Sequence, residues 1–241
     1  MSSIQVLQKG FPGKADIALL YMSSISFVEH EGKKLLCDLG PISIRKNLIK
    51  VMKEKKIDPA SIDLILLSHL HHDHAANIDL FPKARVVLSE EEWRYAREGN
   101  DQAIQKAYLP LYEEREKVFV TQDGQEILPG LRAWMVPGHT PGSLCFSLTV
   151  DGKRWILAGD AVKNRGELRS GEVALTLDPE RSRESIARIR SMADIVVPGH
   201  DALLYVQGDT VMPAEENVLT LLLPEGMTVN GGNPFVLRVD P

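Results

Sequence analysis

Apolar residues recur along this chain with two different periods. In the first third, "IQVLQKG", "IALLYM", "SISFVEHEG" and "KKLLCDLG" alternate or run apolar over short stretches, which predicts strands. The last two flank Glu31-Gly32, a pair suited to a tight hairpin turn. In "SIRKNLIKVMKEKK" the period changes: Ile44, Leu48, Val51 and Met52 fall at helical spacing opposite a lysine-rich face, predicting an amphipathic helix. "IDPASIDLILLSH" reads as a turn followed by a buried strand. "EEEWRYAREG" reads as a second helix, with Ser89 as its N-cap and an acidic first turn that suits the helix dipole. Strand patterning broken by Gly and Pro returns from "VFVTQDGQEILPGLRAWMVPGHTPGS" through "LCFSLTVDGKRWILAGD". "DPERSRESIARIRSM" predicts a further helix with Asp178 as cap and Pro179 at its first position, and "ADIVVPGHD" another short buried strand. The polar stretch from Asp101 to Glu116 fits either a helix or a loop.

Strands and helices in both halves predict two sheets packed on each other with helices outside, an α/β four-layer α/β/β/α sandwich. The expected domain spans residues 1–207. Residues 208–241, with "NVLTLLLPEG" and "NPFVLRV", are expected to form a C-terminal extension that packs on the domain or on a partner subunit, so a homodimer stays open.

Composition narrows the function classes. The 241 residues are 44% hydrophobic and 25% charged, an ordinary globular balance. A net charge of −5 disfavours nucleic acid as a partner, because phosphate backbones want a basic face. No apolar run approaches the roughly 20 residues that span a bilayer, and the opening "MSSIQVLQKGFPGKAD" lacks the apolar stretch of a signal peptide. A cytoplasmic protein with a small-molecule substrate and no membrane partner is therefore expected. Cys37 and Cys145 are too few for a disulfide framework, and each sits in an apolar run where a buried thiol is expected.

Four of the chain's seven histidines lie in "SHLHHDHAAN". Imidazole and carboxylate together suit borderline to hard divalent metals. His69 and His71, two apart on a chain leaving a strand, can grip one ion, and a turn toward a helix can aim Asp73 and His74 at a second. His72 falls between ligands and is expected to point away. His139 in "VPGHTPGS", Asp160 in "ILAGDAV" and His200 in "VVPGHDA" each follow an apolar run and a glycine, so all three can reach the same rim of the sandwich. Asp160 is the natural carboxylate to bridge two ions. His30, beside the Glu31-Gly32 turn, is expected to be exposed.

The motif "HLHHDH", with the later His139, Asp160 and His200, resembles the HxHxDH pattern of the metallo-β-lactamase-fold hydrolase superfamily, from about Gln5 to Val206. The resemblance implies two divalent ions, zinc first with manganese or iron open. His69, His71 and His139 would hold one, Asp73, His74 and His200 the other, and Asp160 would bridge them. "LLCDLG" resembles the strand where the family often carries Asp-Thr-Gly, so Asp38 would orient ligands, although Leu39 departs from that pattern. "FPKARVVLS", "VPGHTPGS", "ILAGDAV" and the segment from Asp178 to Val206 are similar to the small single-domain branch of that superfamily.

The chemistry implied is a metal-bridging hydroxide cleaving a small ester, lactone, thioester or related substrate, with Asp73 and Asp160 holding the ions and orienting the nucleophile. Phosphodiester or nucleic-acid cleavage at the same site is the alternative, and Lys163, Arg165 and Arg169 would support it if they lined the groove. An iron-dependent oxygenase is a third reading.

Overall fold

The structure, a computed structural model, describes residues 2–240. Its first half holds β1 (Ser3–Gln8), β2 (Phe11–Lys14), β3 (Leu19–Met22), β4 (Ile25–His30), β5 (Lys33–Cys37), α1 (Arg45–Glu54), β6 (Leu64–Leu66), α2 (His72–Ala75), β7 (Arg85–Ser89), α3 (Glu90–Glu98), α4 (Leu109–Glu113) and β8 (Lys117–Val120). The second half holds β9 (Gln125–Leu128), β10 (Leu131–Met135), β11 (Leu144–Val150), β12 (Lys153–Gly159), α5 (Arg165–Ser170), α6 (Pro179–Met192), β13 (Ile195–Pro198), β14 (Leu204–Gln207), β15 (Thr210–Pro213), β16 (Asn217–Leu221) and β17 (Phe235–Val239).

Two sheets form the centre, one ordered β1-β4-β5-β6-β7-β8 and the other β15-β14-β13-β12-β11-β10-β9. Alternation along single strands explains the stacking. Leu35 and Cys37 face the space between the sheets while Leu36 faces outward, and Val87 faces in while Val86 and Leu88 face out. On the other sheet Leu157 and Val197 face in, and Ile156, Ala158 and Val196 face out. Strands covered on both faces read as continuous apolar runs, which is why "LILL" and "IVVP" show no alternation. Helix α1 covers the outer face of the first sheet with Leu48 and Met52, and α6 covers the second with Ile186 and Ile189. The result is the expected four-layer α/β/β/α sandwich with three apolar layers.

Local signals hold where they rest on a hydrogen bond. Ser89 caps α3 by accepting from Glu92 N at 2.9 Å, and Asp178 caps α6 by accepting from Arg181 N at 3.1 Å. Glu31 and Gly32 both have positive φ, the backbone of a two-residue hairpin turn between β4 and β5. Residues 101–116 form a loop, a short turn over Lys106–Tyr108 and the helix α4.

Residues 210–213 are the edge strand of the second sheet, and β16 and β17 form an antiparallel pair beyond it. That pair is tied to the body by buried polar contacts: Asn217 Nδ2 donates to Gly10 O and to Asp201 Oδ1, both at 2.9 Å, and Arg165 Nη1 donates to Asp240 O at 2.9 Å. Among the described residues no helix is long and apolar enough to cross a membrane.

Candidate metal centre

Every candidate ligand sits just past the end of a strand of the two central sheets, on the turn or the short helix that follows. Strand β6 stops at Leu66, and the chain leaves it through Ser68, His69 and His71 into α2, which carries Asp73 and His74. His139 follows β10, Asp160 follows β12 and His200 follows β13. Glycines make the approach feasible: a Cβ on Gly199 would lie 2.1 Å from Asp160 Oδ1, and one on Gly159, whose φ is +50°, would lie 2.3 Å from Ser68 Cβ.

The structure brings all seven sequence-chosen residues into one cluster. His69, His71 and His139 converge, as do Asp73, His74 and His200, with ligand atoms within 4.8 Å of one another in each group; His69, His74 and Asp160 form a third overlapping group. Asp160 lies between: Oδ1 is 3.1 Å from both His74 Nε2 and His200 Nε2, and Oδ2 is 3.3 Å from His139 Nε2.

The outward nitrogen of every imidazole is committed to an acceptor. His69 Nδ1 donates to Ser68 Oγ at 2.9 Å, and that hydroxyl donates to Asp38 Oδ2 at 2.8 Å. His74 Nδ1 donates to the same Asp38 oxygen at 2.8 Å, His139 Nδ1 to Leu175 O at 3.1 Å and His200 Nδ1 to Met22 O at 3.2 Å. His71 is reversed, with Nε2 donating to Asp101 Oδ2 at 3.0 Å. These bonds fix the tautomers, so five lone pairs point inward. Inward nitrogens then face one another: His71 Nδ1 and His139 Nε2 are 3.0 Å apart, and the Nε2 atoms of His74 and His200 are 3.4 Å apart. His69 Nε2 and Asp160 Oδ1 are buried without any hydrogen-bond partner. Orphaned acceptors cost about 1–3 kcal/mol each unless something electropositive satisfies them. Nitrogen lone pairs and carboxylates around such atoms are what a divalent cation requires, so the residues fit a metal.

Titration agrees. Burial pushes the His69 imidazole well below its ordinary value and lowers His139 to about 3, so both rings are neutral at neutral pH and keep a lone pair to donate. Burial also opposes charge on His74 and Asp160. There the neighbours win: Asp160, Asp73 and Asp38 raise His74 well above the imidazole range, and His200, His74 and His139 hold Asp160 well below the carboxylate range. Both cysteines are buried, and burial pushes their thiols up, Cys145 to about 12, so neither is a nucleophile at neutral pH.

Two supporting residues carried no sequence signal. Asp101 Oδ2 accepts from both His71 Nε2 and Tyr95 Oη, and its Oδ1 accepts from Ala103 N at 2.9 Å. Glu92, fully buried, accepts from Leu70 N at 2.9 Å and Thr140 Oγ1 at 2.6 Å, joining the His71 and His139 segments. Asp101 is one acid in a polar loop, and Glu92 is the third of three consecutive glutamates, so only the fold distinguishes them. Asp38 stands where the resemblance put it. Leu39, its departure from the family's pattern, is buried in the apolar layer, and its N donates to His74 O at 2.7 Å.

Two expectations need correction, and one is met. His30 is not exposed: it is 5% accessible, with Nε2 donating to Pro129 O at 2.7 Å and Nδ1 beside Ser2 Oγ, because β4 ends under the β9–β10 turn. Of the three basic residues weighed for a phosphate groove, only Lys163 lines the cavity, and it pairs with Glu167 at 3.1 Å. Arg165 instead forms a two-pronged pair with Asp201, and Arg169 donates to Val211 O. His72 is exposed and outside the convergent groups, as expected.

Above the cluster lies a cavity of about 710 Å³, walled by Tyr21, Ile42, His72, Tyr108, Leu175 and Leu177 and floored by Asp73 and Asp160. This volume suits a small organic molecule.

A family model described as the metallo-beta-lactamase superfamily matches residues 19–200. Metallo-beta-lactamase domain-containing protein 1 of Mus musculus is 32% identical over 200 residues, covering 81% of this chain and 68% of that protein. An N-acyl homoserine lactonase of Bacillus thuringiensis is 24% identical over 159 residues, covering 64% of this chain and 62% of its own. Among solved structures, an N-acyl homoserine lactone hydrolase with N-hexanoyl-L-homoserine bound at its catalytic metal centre has a TM-score of 0.68 at 19% identity, covering 83% of this chain and 92% of that one, which shows a shared fold.

Proposed function

The chain belongs to the metallo-β-lactamase superfamily of metallo-hydrolases, and from that premise we propose that it hydrolyses a small ester, lactone or thioester with two divalent metal ions, zinc first among them. The observation that carries the reading is the cluster of five inward imidazole nitrogens with Asp73 and Asp160, in overlapping groups beside an organic-sized cavity.

His69, His71 and His139 would hold one ion, Asp73, His74 and His200 the other, with Asp160 shared. Such ions supply Lewis acidity and a water whose pKa is lowered toward neutrality. The protein's own contribution is orientation. Asp38 ties His69, through Ser68, and His74 to one carboxylate, so both rings turn together. Asp101 and Leu175 O hold His71 and His139 with their lone pairs inward. Asp73 lines the cavity with a carboxylate, which supports a role in orienting the attacking water and receiving its proton. The lactone-hydrolysing relative supports a carbonyl substrate, and the commitment of Arg165 and Arg169 elsewhere removes two supports for a phosphodiester.

The test is a hydrolysis screen of metal-loaded protein against lactones, thioesters, phosphodiesters and β-lactams, beside Asp160→Ala. Carbonyl esters should turn over, elemental analysis should give close to two ions per chain, and Asp160→Ala should lose metal and turnover together. A preference for phosphodiesters, or full activity in Asp160→Ala, would overturn the proposal.

A further inference from the structure

Ile42, Leu175 and Leu177 are 53%, 58% and 58% exposed, and all three line the cavity that holds Asp73 and Asp160. Single exposed aliphatic residues are ordinary on a protein surface. Three at one mouth, from two segments far apart in sequence, form a patch of the kind that marks a ligand groove. Tyr21 and Tyr108 add ring surface to the same wall. The ionic groups of the wall are metal-cluster residues, their hydrogen-bond partner Asp101, Lys163 with its Glu167 partner, and the exposed His72.

The leucines are held open by structure. Leu175 has φ of +54°, a left-handed conformation that costs a branched side chain about 1–2 kcal/mol. Its carbonyl accepts from His139 Nδ1, so the bond that fixes a candidate ligand also fixes this residue. Leu177 N and Asp178 N both donate to Gly138 O, at 3.1 and 3.0 Å, and Thr176 Oγ1 lies 2.6 Å from Ser182 Oγ. Ile42, lining the same cavity, opens the short turn before α1, whose last residue, Ile44, is buried in the apolar layer. The two aliphatic segments are thus anchored separately, and both line the cavity that holds Asp73 and Asp160.

We propose that this rim is a subsite for a hydrocarbon tail: the substrate carries an alkyl or acyl chain that packs on Ile42, Leu175 and Leu177. The tail is uncharged, since Ile42, Leu175 and Leu177 offer it carbon surface. The identity of the ester head rests on the hydrolase reading above; the tail subsite rests on the rim alone.

Two measurements test it separately. Binding of butanoate, hexanoate, octanoate and decanoate to the metal-loaded protein by calorimetry should tighten about twofold per methylene, and up to about fourfold where burial is complete. At twofold per step the gain from butanoate to decanoate is about 60-fold. Ile42→Ser and Leu177→Ser, at exposed positions that folding does not depend on, should each flatten the slope, whereas Met212→Ser, remote from the cavity, should not. The same series as acyl esters should show kcat/KM rising in parallel. Equal affinity along the carboxylate series would overturn the subsite, and so would a dimer in sedimentation that Leu177→Ser dissociates, since a second copy would then cover the rim. Ester turnover with a flat chain-length profile would sink this inference and leave the hydrolase reading intact. Chain-length-dependent carboxylate binding without turnover of any ester would do the reverse.

Discussion

At the scale of single residues, the site is governed by which nitrogen each histidine spends outward. That the seven candidate ligands would meet was legible in sequence because four of them are packed into "HLHHDH" and the other three each follow a strand and a glycine. Their supports were not, because a hydrogen-bond partner needs only one carboxylate from anywhere in the fold. Asp101 shows this. The His71 ring N–H, working against burial and helped by the Ala103 amide and the Tyr95 hydroxyl, holds its carboxyl well below the usual range. An acceptor bound that strongly sets the His71 tautomer. Asp101→Asn should therefore weaken metal binding about 10- to 100-fold with little change in fold, as read by competition with a chromophoric chelator. His72→Ala, one position from His71, should leave metal affinity unchanged. His30 was misjudged because its position beside a turn is local information, while the β9–β10 turn above it comes from about a hundred residues away in the chain.

At the scale of elements, prediction succeeded where a segment carries its own stop and start signals. Helix α3 has a serine cap and three acidic residues in its first turn. The Ser89 hydroxyl accepts from Glu92 N and also donates to Gly142 O at 2.7 Å, so it joins the helix to the turn after His139. Ser89→Ala removes both bonds and should cost about 1–2 kcal/mol in urea unfolding, at the upper end for a cap because the second acceptor is left buried. Helices α2 and α5 announced themselves less clearly. Each is under two turns long, too short to be stable alone, and exists because tertiary contacts hold it. Residues 101–116 were ambiguous for a related reason: their conformation depends on Asp101 meeting His71 and on Tyr112 donating to Ala75 O, contacts absent from any local pattern.

At the scale of the whole molecule, the layered architecture was readable because period-2 and period-3.6 segments can bury their apolar faces together in few ways. The polar joint beneath His200 was not. There Arg165 grips Asp201 with two nitrogens, and Asn217 bonds Asp201 and Gly10. Burial raises the Asp201 pKa, but Arg165 and Asn217 outweigh it, and the net shift is downward. A carboxylate lowered on folding stabilises the fold above its unfolded pKa of about 3.9 and loses that contribution as pH falls through the folded value. Chelated protein should accordingly lose stability from about pH 5 downward. Asp201→Asn should show a shallower acid slope, from a neutral-pH starting point about 3–5 kcal/mol lower because Arg165 is left buried and unpaired. The cavity wall has a different origin from this frame. Its parts come from the segments around Ile42, Tyr108 and Leu175, all outside the two central sheets, so most of the wall is free to drift without disturbing the metal cluster. Leu175 and Asp101 are the exceptions, each touching both. A lineage changing its diet can rewrite Ile42, Tyr108 or Leu177 one at a time, but at Leu175 and Asp101 taste and catalysis are inherited together.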